Sequence, residues 1–385
     1  MDPILDMNAE NIIRRLQNKG FSAYAVGGCV RDSIMGRPTD DCDITTSALP
    51  NQVKEALNDY PIIDTGIQHG TVTAIVNGNP YEITTFRSEE AYSDSRHPDG
   101  VIFVSDLKPD LSRRDFTMNA VAYNSNEGII DPFCGVTDIN KKIIKTVGDP
   151  AERFNEDALR ILRALRFSSV LGFEIEDETS RAINMLAHTV NKVSPERIYT
   201  ELKKLLCGEN ACGVLKKFGS ALSKIIDIKD EFPCFSALPK DFSMRFSYLC
   251  GDKAVDNLKK LRADNRTKYL CKLLVNSKPI SNDKTELKFY ISDLGRENSA
   301  YVVDYRRIVF GEDGTKLADS IIKGDCCLSV GELDIKGDDI ISLGIKGKSV
   351  SASQKYLLSS VIKGEIENKR EDLLAALKSL DISIL

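Results

Sequence analysis

Gly27-Gly28-Cys29-Val30-Arg31-Asp32, followed within ten residues by Asp40-Asp41-Cys42-Asp43-Ile44-Thr45-Thr46, is the stretch on which the reading of this chain turns. A strand that carries Asp41 and Asp43 presents both carboxylates on one face, because side chains repeat every second residue, and two such carboxylates suit divalent metal. Gly27 and Gly28 stand where a short strand, 22–26, turns into a helix running to about Met35. Glycine lets an anion approach the backbone, and a helix N-terminus favours negative charge. A phosphate cradle followed closely by metal-binding carboxylates points to nucleotide chemistry. Asp40 adjoins the pair but falls on the opposite face of such a strand.

Around this stretch the first 145 or so residues read as α/β. An amphipathic helix over 8–19 is stopped by Gly20, and Pro50 opens a helix to about Asp59. The alternating runs 71–76 and 81–86, joined by Asn77-Gly78, predict a β-hairpin. Residues 87–110 are long, polar and charged, and read as a mobile loop. From Pro150 onward the pattern is helical. Residues 152–167 read as one helix, Pro195 opens another, and no comparable strand alternation returns. A glycine-punctuated tail after Asp325 ends in a helix near 371–380.

The chain has 385 residues, enough for two or three domains, and 42% of them are hydrophobic, as in ordinary globular proteins. No apolar run is long enough to span a bilayer. The first residues are acidic and poor in arginine, unlike a secretory or mitochondrial leader. Ten cysteines without a C-x-x-C pair, beside only three histidines, read as reduced thiols rather than a zinc site. The expected location is therefore cytoplasmic. A net charge of −5 disfavours a uniformly basic nucleic-acid binder, but binding depends on local patches. Lys259, Lys260, Arg262, Arg266, Lys268 and Lys272 cluster in sequence, and Arg160, Arg163 and Arg166 recur every third residue.

Asp41 and Asp43 are the candidate ligands for two magnesium ions, which together clamp the attacking and leaving oxygens of a phosphoryl transfer. Glu82, on the second hairpin strand, is the candidate third carboxylate. Arg31 either contacts triphosphate or pairs with Asp32 or Asp43 to orient the site. Arg114 offers a fork for phosphate oxygens, and Asp115 beside it an acceptor for a ribose hydroxyl. Asp157 and Arg160, three apart on one helix face, put an acceptor next to donors. Cytosine and adenine each present an amino donor beside ring acceptors and match this couple. Uracil and guanine turn a carbonyl toward the carboxylate, a mismatch that costs factors of about 10⁴. The alternative for this pair is an ordinary helical salt bridge.

Taken together, GGCVRD at 27–32, DDCDITTSALP at 40–50, HGTVTAIV at 69–76, YEITTF at 81–86, RRDFTMNAVAYN at 113–124, IDPFCG at 130–135, RFNEDALRILRALRF at 153–167 and SPERI at 194–198 resemble the class II CCA-adding tRNA nucleotidyltransferase and bacterial poly(A) polymerase family of the polymerase β superfamily. Further on, GELDIKGDDI at 331–340 is similar to the family's tail segment. The resemblance implies an α/β head of nucleotidyltransferase fold, a mixed sheet with flanking helices, followed by an all-α neck, body and tail, divided at about 145, 215 and 325. It implies magnesium-dependent transfer of CMP and AMP from CTP and ATP to a tRNA 3′ end, with release of pyrophosphate. It implies metal on Asp41 and Asp43, triphosphate and ribose contacts from Arg114 and Asp115, and base templating by Asp157 and Arg160; Gly27, Gly28, Arg31 and Arg163 are the further nucleotide-binding candidates. The partner it implies is tRNA, held on its acceptor stem and TΨC side by body and tail; neither membrane nor obligate protein partner is expected. Full CCA addition, partial addition and poly(A) synthesis share these motifs. The full-length 87–110 loop favours complete CCA addition, while Arg96-His97-Pro98 departs from the family's basic pair before proline, and a neutral imidazole weakens any salt bridge there. No basic motif of the poly(A) polymerase kind follows the neck, and no His-Asp phosphohydrolase domain fits.

Overall fold

The structure is a computed structural model that describes residues 3, 5–39, 41–89 and 101–379. Asp40 and the Arg96-His97-Pro98 run lie outside the described residues. The chain forms two compact units, Met1–Asp230 with Asp256–Asp264, and Glu231–Val255 with Asn265–Leu385.

The first unit opens with α1 (Met7–Asn18), whose N-cap Asp6 accepts from the amides of Asn8 and Ala9 at 2.9 and 3.1 Å. It buries Ile12, Ile13 and Leu16 against the sheet and ends at Gly20, with φ 89°. Then come β1 (Ala23–Val26), α2 (Gly28–Ile34), β2 (Asp43–Thr46), α3 (Pro50–Ala56), β3 (Ile62–Gly66), β4 (Thr71–Val76) and β5 (Asn79–Thr85). The hairpin between β4 and β5 is as expected: Asn77 and Gly78 both take positive φ, 52° and 82°, which a tight two-residue turn of this twist requires. Strands β6 (Arg87–Glu89) and β7 (Val101–Phe103) pair with each other, and α4 (Leu107–Ser112) follows. The supposed loop over 87–110 is thus ordered at both described ends, because Arg87 is tied to the His69 carbonyl at 2.6 Å and to buried Asp110. After α4 come β8 (Ala122–Asn124), β9 (Gly128–Ile130), α5 (Gly135–Lys141) and β10 (Ile143–Ile144).

The seven-stranded sheet has the order β3-β4-β5-β2-β1-β8-β9 and is mixed: β2 and β5 run parallel, the other neighbours antiparallel. Two registers fix the chemistry. Val26 pairs with Asp43, so the glycine turn leaves β1 beside that carboxylate. Ile44 pairs with Ile83, so Glu82 stands abreast of Asp43 on the same face. Strand β2 begins at Asp43, not at Asp41, because β1 turns away at Gly27 and offers no further partner. The alternation still carries on, with Asp41 and Asp43 exposed and Cys42 buried between them.

Helices α6 (Pro150–Glu156) and α7 (Leu159–Leu171) replace the single helix read over 152–167. Asp157 is extended, φ −139° and ψ 102°, and its Oδ1 accepts from the Leu159 amide at 3.0 Å. A short acidic side chain that bonds its own backbone two residues on competes with the helical ladder. A short strand, β11 (Glu174–Ile175), pairs with β10, an exception to the strand-free reading of this region. Then follow α8 (Asp177–Leu186), α9 (Pro195–Leu206) and α10 (Ala211–Leu222). Residues 256–264 return to this unit, where Asn257 Nδ2 donates to the Asp227 carbonyl at 2.9 Å and Tyr199 Oη to Asp264 at 2.8 Å.

Described by itself, the second unit is helical: α11 (Phe242–Cys250), the end of α12 aside (Ala254–Lys260, which crosses into the first unit), α13 (Asn265–Val275), α14 (Lys284–Leu294), α15 (Arg296–Phe310), α16 (Thr315–Lys323), α17 (Gly337–Ser342), α18 (Lys348–Lys363) and α19 (Arg370–Ser379). The tail is more helical than its glycines suggest. Gly344 and Gly364 take positive φ and flank α17 and α18 rather than dissolving them. The basic run at 259–272 is split, Lys259, Lys260 and Arg262 falling in the first unit and Arg266, Lys268 and Lys272 in the second.

Gly135 shows how tightly the head packs behind its site. A Cβ there would stand 2.1 Å from the Thr117 carbonyl oxygen and 2.7 Å from Val121. Gly135→Ala should therefore lower stability by about 1–3 kcal/mol or more, read as a fall in the thermal unfolding midpoint. An unchanged midpoint would contradict this packing.

Candidate active site

One cavity of about 480 Å³ is lined by Gly27, Gly28, Arg31, Asp43, Arg114, Asp115, Asn119, Asp157, Arg160, Arg163, Arg166, Phe167 and Arg197, among others. It therefore unites every nucleotide-binding residue expected from the sequence with one of the two expected metal ligands. Asp41 and Glu82 are not among its lining residues; they reach it electrostatically, through Asp43.

Gly27 has φ 77°, and a Cβ on it would lie 3.1 Å from Arg114 Nη1 and 3.8 Å from Asp43 Oδ2. Both its conformation and its clearance demand glycine. Although Asp43 keeps a solvent-exposed surface, desolvation by the protein around its carboxyl pushes it above its usual value; Arg114 opposes this and Asp41 adds to it. Glu82 is also raised, by burial and then by the charges of Asp43 and Asp41. Two raised carboxyls, each pushed further by the charge of an acidic neighbour, mark a place where a cation is favoured. Among the described residues no three acidic, histidine or cysteine side chains enclose an ion by themselves.

Six arginines line the cavity, and each has a carboxylate within 4 Å, some of them shared with a neighbouring arginine. Arg31 forms a fork on Asp32 (Nε–Oδ1 2.9 Å, Nη2–Oδ2 2.7 Å) and donates to Asn119 Oδ1 at 2.7 Å. The pairing with Asp32 is the one the orienting alternative for Arg31 describes, and it leaves contact with triphosphate open. Arg114 Nη2 lies 3.6 Å from Asp110 Oδ2, while its buried Nε has no hydrogen-bond partner among the described residues. Arg160 Nη1 meets Glu156 Oε2 at 2.6 Å and the Arg153 carbonyl at 3.2 Å, and Nη2 donates to the Arg113 carbonyl at 3.0 Å. Arg163 meets Asp115 at 2.6 Å, Arg166 meets Glu201 at 2.6 Å, and Arg197 meets Asp157 at 2.9 Å. Pairing is what makes so many buried charges tolerable.

Asp157 and Arg160 thus share a cavity but do not form the helical i,i+3 couple. The break at Asp157 removes that geometry and gives each residue a different partner. Asp115 is buried, and Oδ1 accepts from the Phe116 amide and Asn119 Nδ2, both at 2.9 Å. Burial alone would raise its carboxyl, but the Arg163 charge and the hydrogen bonds from Asn119 and Arg163 outweigh burial and hold it below the usual carboxylate range. Sequence reasoning did not single out Asn119, Arg166, Phe167, Arg197, Glu156 or Glu201 as site residues. Arg197 sits in SPERI, Asn119 in RRDFTMN and Phe167 closes RFNEDALRILRALRF, so motif membership was the available signal.

A mixed sheet with a glycine turn opening a helix beside paired carboxylates, facing a cavity of forked arginines, defines a nucleotidyltransferase. Comparison with known proteins narrows the class. The family described as "Poly A polymerase head domain" matches residues 23–145, and "Probable RNA and SrmB- binding site of polymerase A" matches residues 172–217. The CCA-adding enzyme of Lactobacillus delbrueckii subsp. bulgaricus is 36% identical over 378 residues, covering 93% of this chain and 94% of that one. That of Staphylococcus saprophyticus is 36% identical over 388 residues, covering 95% and 96%. The crystal structure of the Bacillus stearothermophilus CCA-adding enzyme in complex with CTP superposes with a TM-score of 0.79 at 32% identity, covering 96% of both chains. The chain belongs to the CCA-adding enzyme family.

The Asp115 arrangement carries a pH dependence. A carboxylate whose folded pKa is depressed contributes stability that is complete above its unfolded pKa and is lost as pH falls through the folded value. Asp115→Asn should cost about 3–5 kcal/mol near neutrality, and the gap from wild type should shrink on acidification. Urea unfolding from pH 7 to pH 3 measures it; a gap that widens toward acid would refute the assignment.

Proposed function

We propose that this chain adds CMP, CMP and AMP in turn, from CTP and ATP, to the 3′ end of tRNA, releasing pyrophosphate at each step. The observation that carries this reading is the meeting, in one cavity, of the Gly27-Gly28 turn, Asp43, the phosphate-seeking arginines and the Asp157–Arg160 couple. The Bacillus stearothermophilus relative was solved with CTP, and the Thermotoga maritima enzyme, at 19% identity a likeness of fold, was solved with tRNA.

In this reading Asp41 and Asp43 hold magnesium, with Glu82 as the supporting carboxylate. Bound magnesium supplies charge for the polyphosphate and lowers the pKa of the attacking hydroxyl. The tRNA 3′-oxygen forms a bond to the α-phosphorus, and the bond from that phosphorus to the bridging β-oxygen breaks. Gly27 and Gly28 give the phosphates room against the backbone. Arg31, Arg114 and Arg163 set the field into which they bind, and the unpartnered Nε of Arg114 is a donor in want of an anion. Asp115 accepts from the ribose. Asp157 offers its carboxylate to the amino group of cytosine or adenine. Arg160 has Nε and one Nη2 hydrogen left, among the described contacts, for the ring acceptors.

We assign these roles to a head and neck over 1–145 and 146–215, and tRNA binding, on the acceptor stem and TΨC side, to a body over 216–325 and a tail over 326–385. No helix among the described residues is long and apolar enough to cross a membrane. We place the reaction in the cytoplasm, where free thiols stay reduced.

Purified protein given tRNA lacking its CCA end should add two cytidines with CTP alone and complete CCA with both nucleotides. Long A tails on arbitrary RNA, or a halt after two cytidines, would overturn the reading. Chelation should abolish addition and magnesium restore it. Asp43→Ala should lower incorporation by at least roughly 10³-fold with tRNA binding retained. Arg160→Ala should raise UTP and GTP misincorporation more than it raises the KM for CTP; unchanged base selectivity would remove Arg160 from the templating role.

A further inference from the structure

Phe167 is a buried ring at the wall of the cavity, in edge contact with Phe116 at 5.8 Å and 86°. Three of the cavity arginines gather on it. The guanidinium carbon of Arg166 lies 3.8 Å from the ring centroid, that of Arg31 5.1 Å and that of Arg163 5.5 Å. Arg31 comes from α2, the other two from the same helix as the ring. All three fall within the distance at which an aromatic quadrupole attracts a cation.

Three guanidiniums this close repel one another. Asp32, Asp115 and Glu201 pair with them and offset part of that repulsion, leaving three positive guanidiniums facing three carboxylates. A further carboxylate in place of the ring would hold them as well, but it would cancel the positive field that draws phosphate. An aromatic face attracts cations yet carries no net charge, so it leaves that field standing. It also leaves hydrogen-bond donors free, because it accepts none of them in the plane of the guanidinium.

We propose that Phe167 is a positioning residue for the polyphosphate of the incoming nucleotide, its ring gathering Arg31, Arg163 and Arg166 at the cavity wall without neutralising them. The proposal rests on the reading that this cavity takes CTP and ATP. Without the ring the three arginines splay, and the nucleotide must reassemble them on binding, so affinity falls before the chemical step does.

The test keeps size and changes the quadrupole. Mono-, di- and trifluorophenylalanine are placed at position 167 of the full chain, beside Phe167→Leu. KM for CTP and for ATP, kcat, and the Kd of inorganic pyrophosphate are measured, with thermal unfolding as the check on folding. The expected result is a graded loss of affinity with each fluorine, reaching about five- to thirtyfold, while kcat changes less than KM and the unfolding midpoint stays level across the fluorinated series. Equal KM and Kd across that series would overturn the proposal, and so would a loss confined to Phe167→Leu, since that is packing alone. Wild-type protein that binds pyrophosphate but extends no tRNA would sink the functional reading and leave the fluorine series to judge Phe167. Wild-type protein that binds no pyrophosphate would sink both.

Discussion

Charge burial is the constraint to which the rest of the first unit answers. The cavity gathers six arginines at one place, and a folded chain does not tolerate several unpaired cations. The solution here is a carboxylate beside each arginine, Asp32, Asp110, Glu156, Asp115, Glu201 and Asp157 for Arg31, Arg114, Arg160, Arg163, Arg166 and Arg197, with Asp110, Glu156 and Glu201 shared with Arg113, Arg153 and Arg163. These acids come from α2, α4, α6, α9 and the segments between them. Packing of those elements around the sheet is therefore inseparable from the orientation of the arginine forks. The glycine turn then brings backbone, rather than side chain, to the same place.

The sheet supplies the opposite charge. Its registers set Asp43 beside the glycine turn and Glu82 beside Asp43, so acidic and basic walls meet along one line. Arg114 stands at the junction, its Nη1 3.1 Å from where a Cβ on Gly27 would lie. Raised carboxyls lie on one side and a buried guanidinium nitrogen without a hydrogen-bond partner among the described residues on the other.

What could be read from the sequence was local. Gly27, Gly28, Asp41 and Asp43 declare themselves by short spacing, and Asn77-Gly78 names its own turn. Asp157 and Arg160 were legible as candidate cavity residues, but not in their geometry. A helical pattern on both sides of Asp157 hides the side chain's bond to the Leu159 amide, which breaks the helix. The partners of these residues were illegible for a different reason. Glu201 and Arg197 lie some forty residues from Arg166 and Asp157 in sequence, and nothing in local pattern specifies which charges a helix crossing will bring together. In the tail, glycines at helix ends were indistinguishable from glycines in loops until α17 and α18 were seen between them.

The return of residues 256–264 to the first unit has a bearing on synthesis at the ribosome. The chain leaves that unit after Asp230, spends 231–255 in the second, and comes back before departing for good. The bonds that Asn257, Arg262 and Asp264 make to Asp227, Glu196 and Tyr199 cannot form until translation has passed them. The catalytic half is therefore not finished when its sheet and cavity residues have emerged, and a nascent chain arrested near residue 230 would expose a seam. Any attempt to separate the halves by a single cut meets the same obstacle, since no one peptide bond divides them.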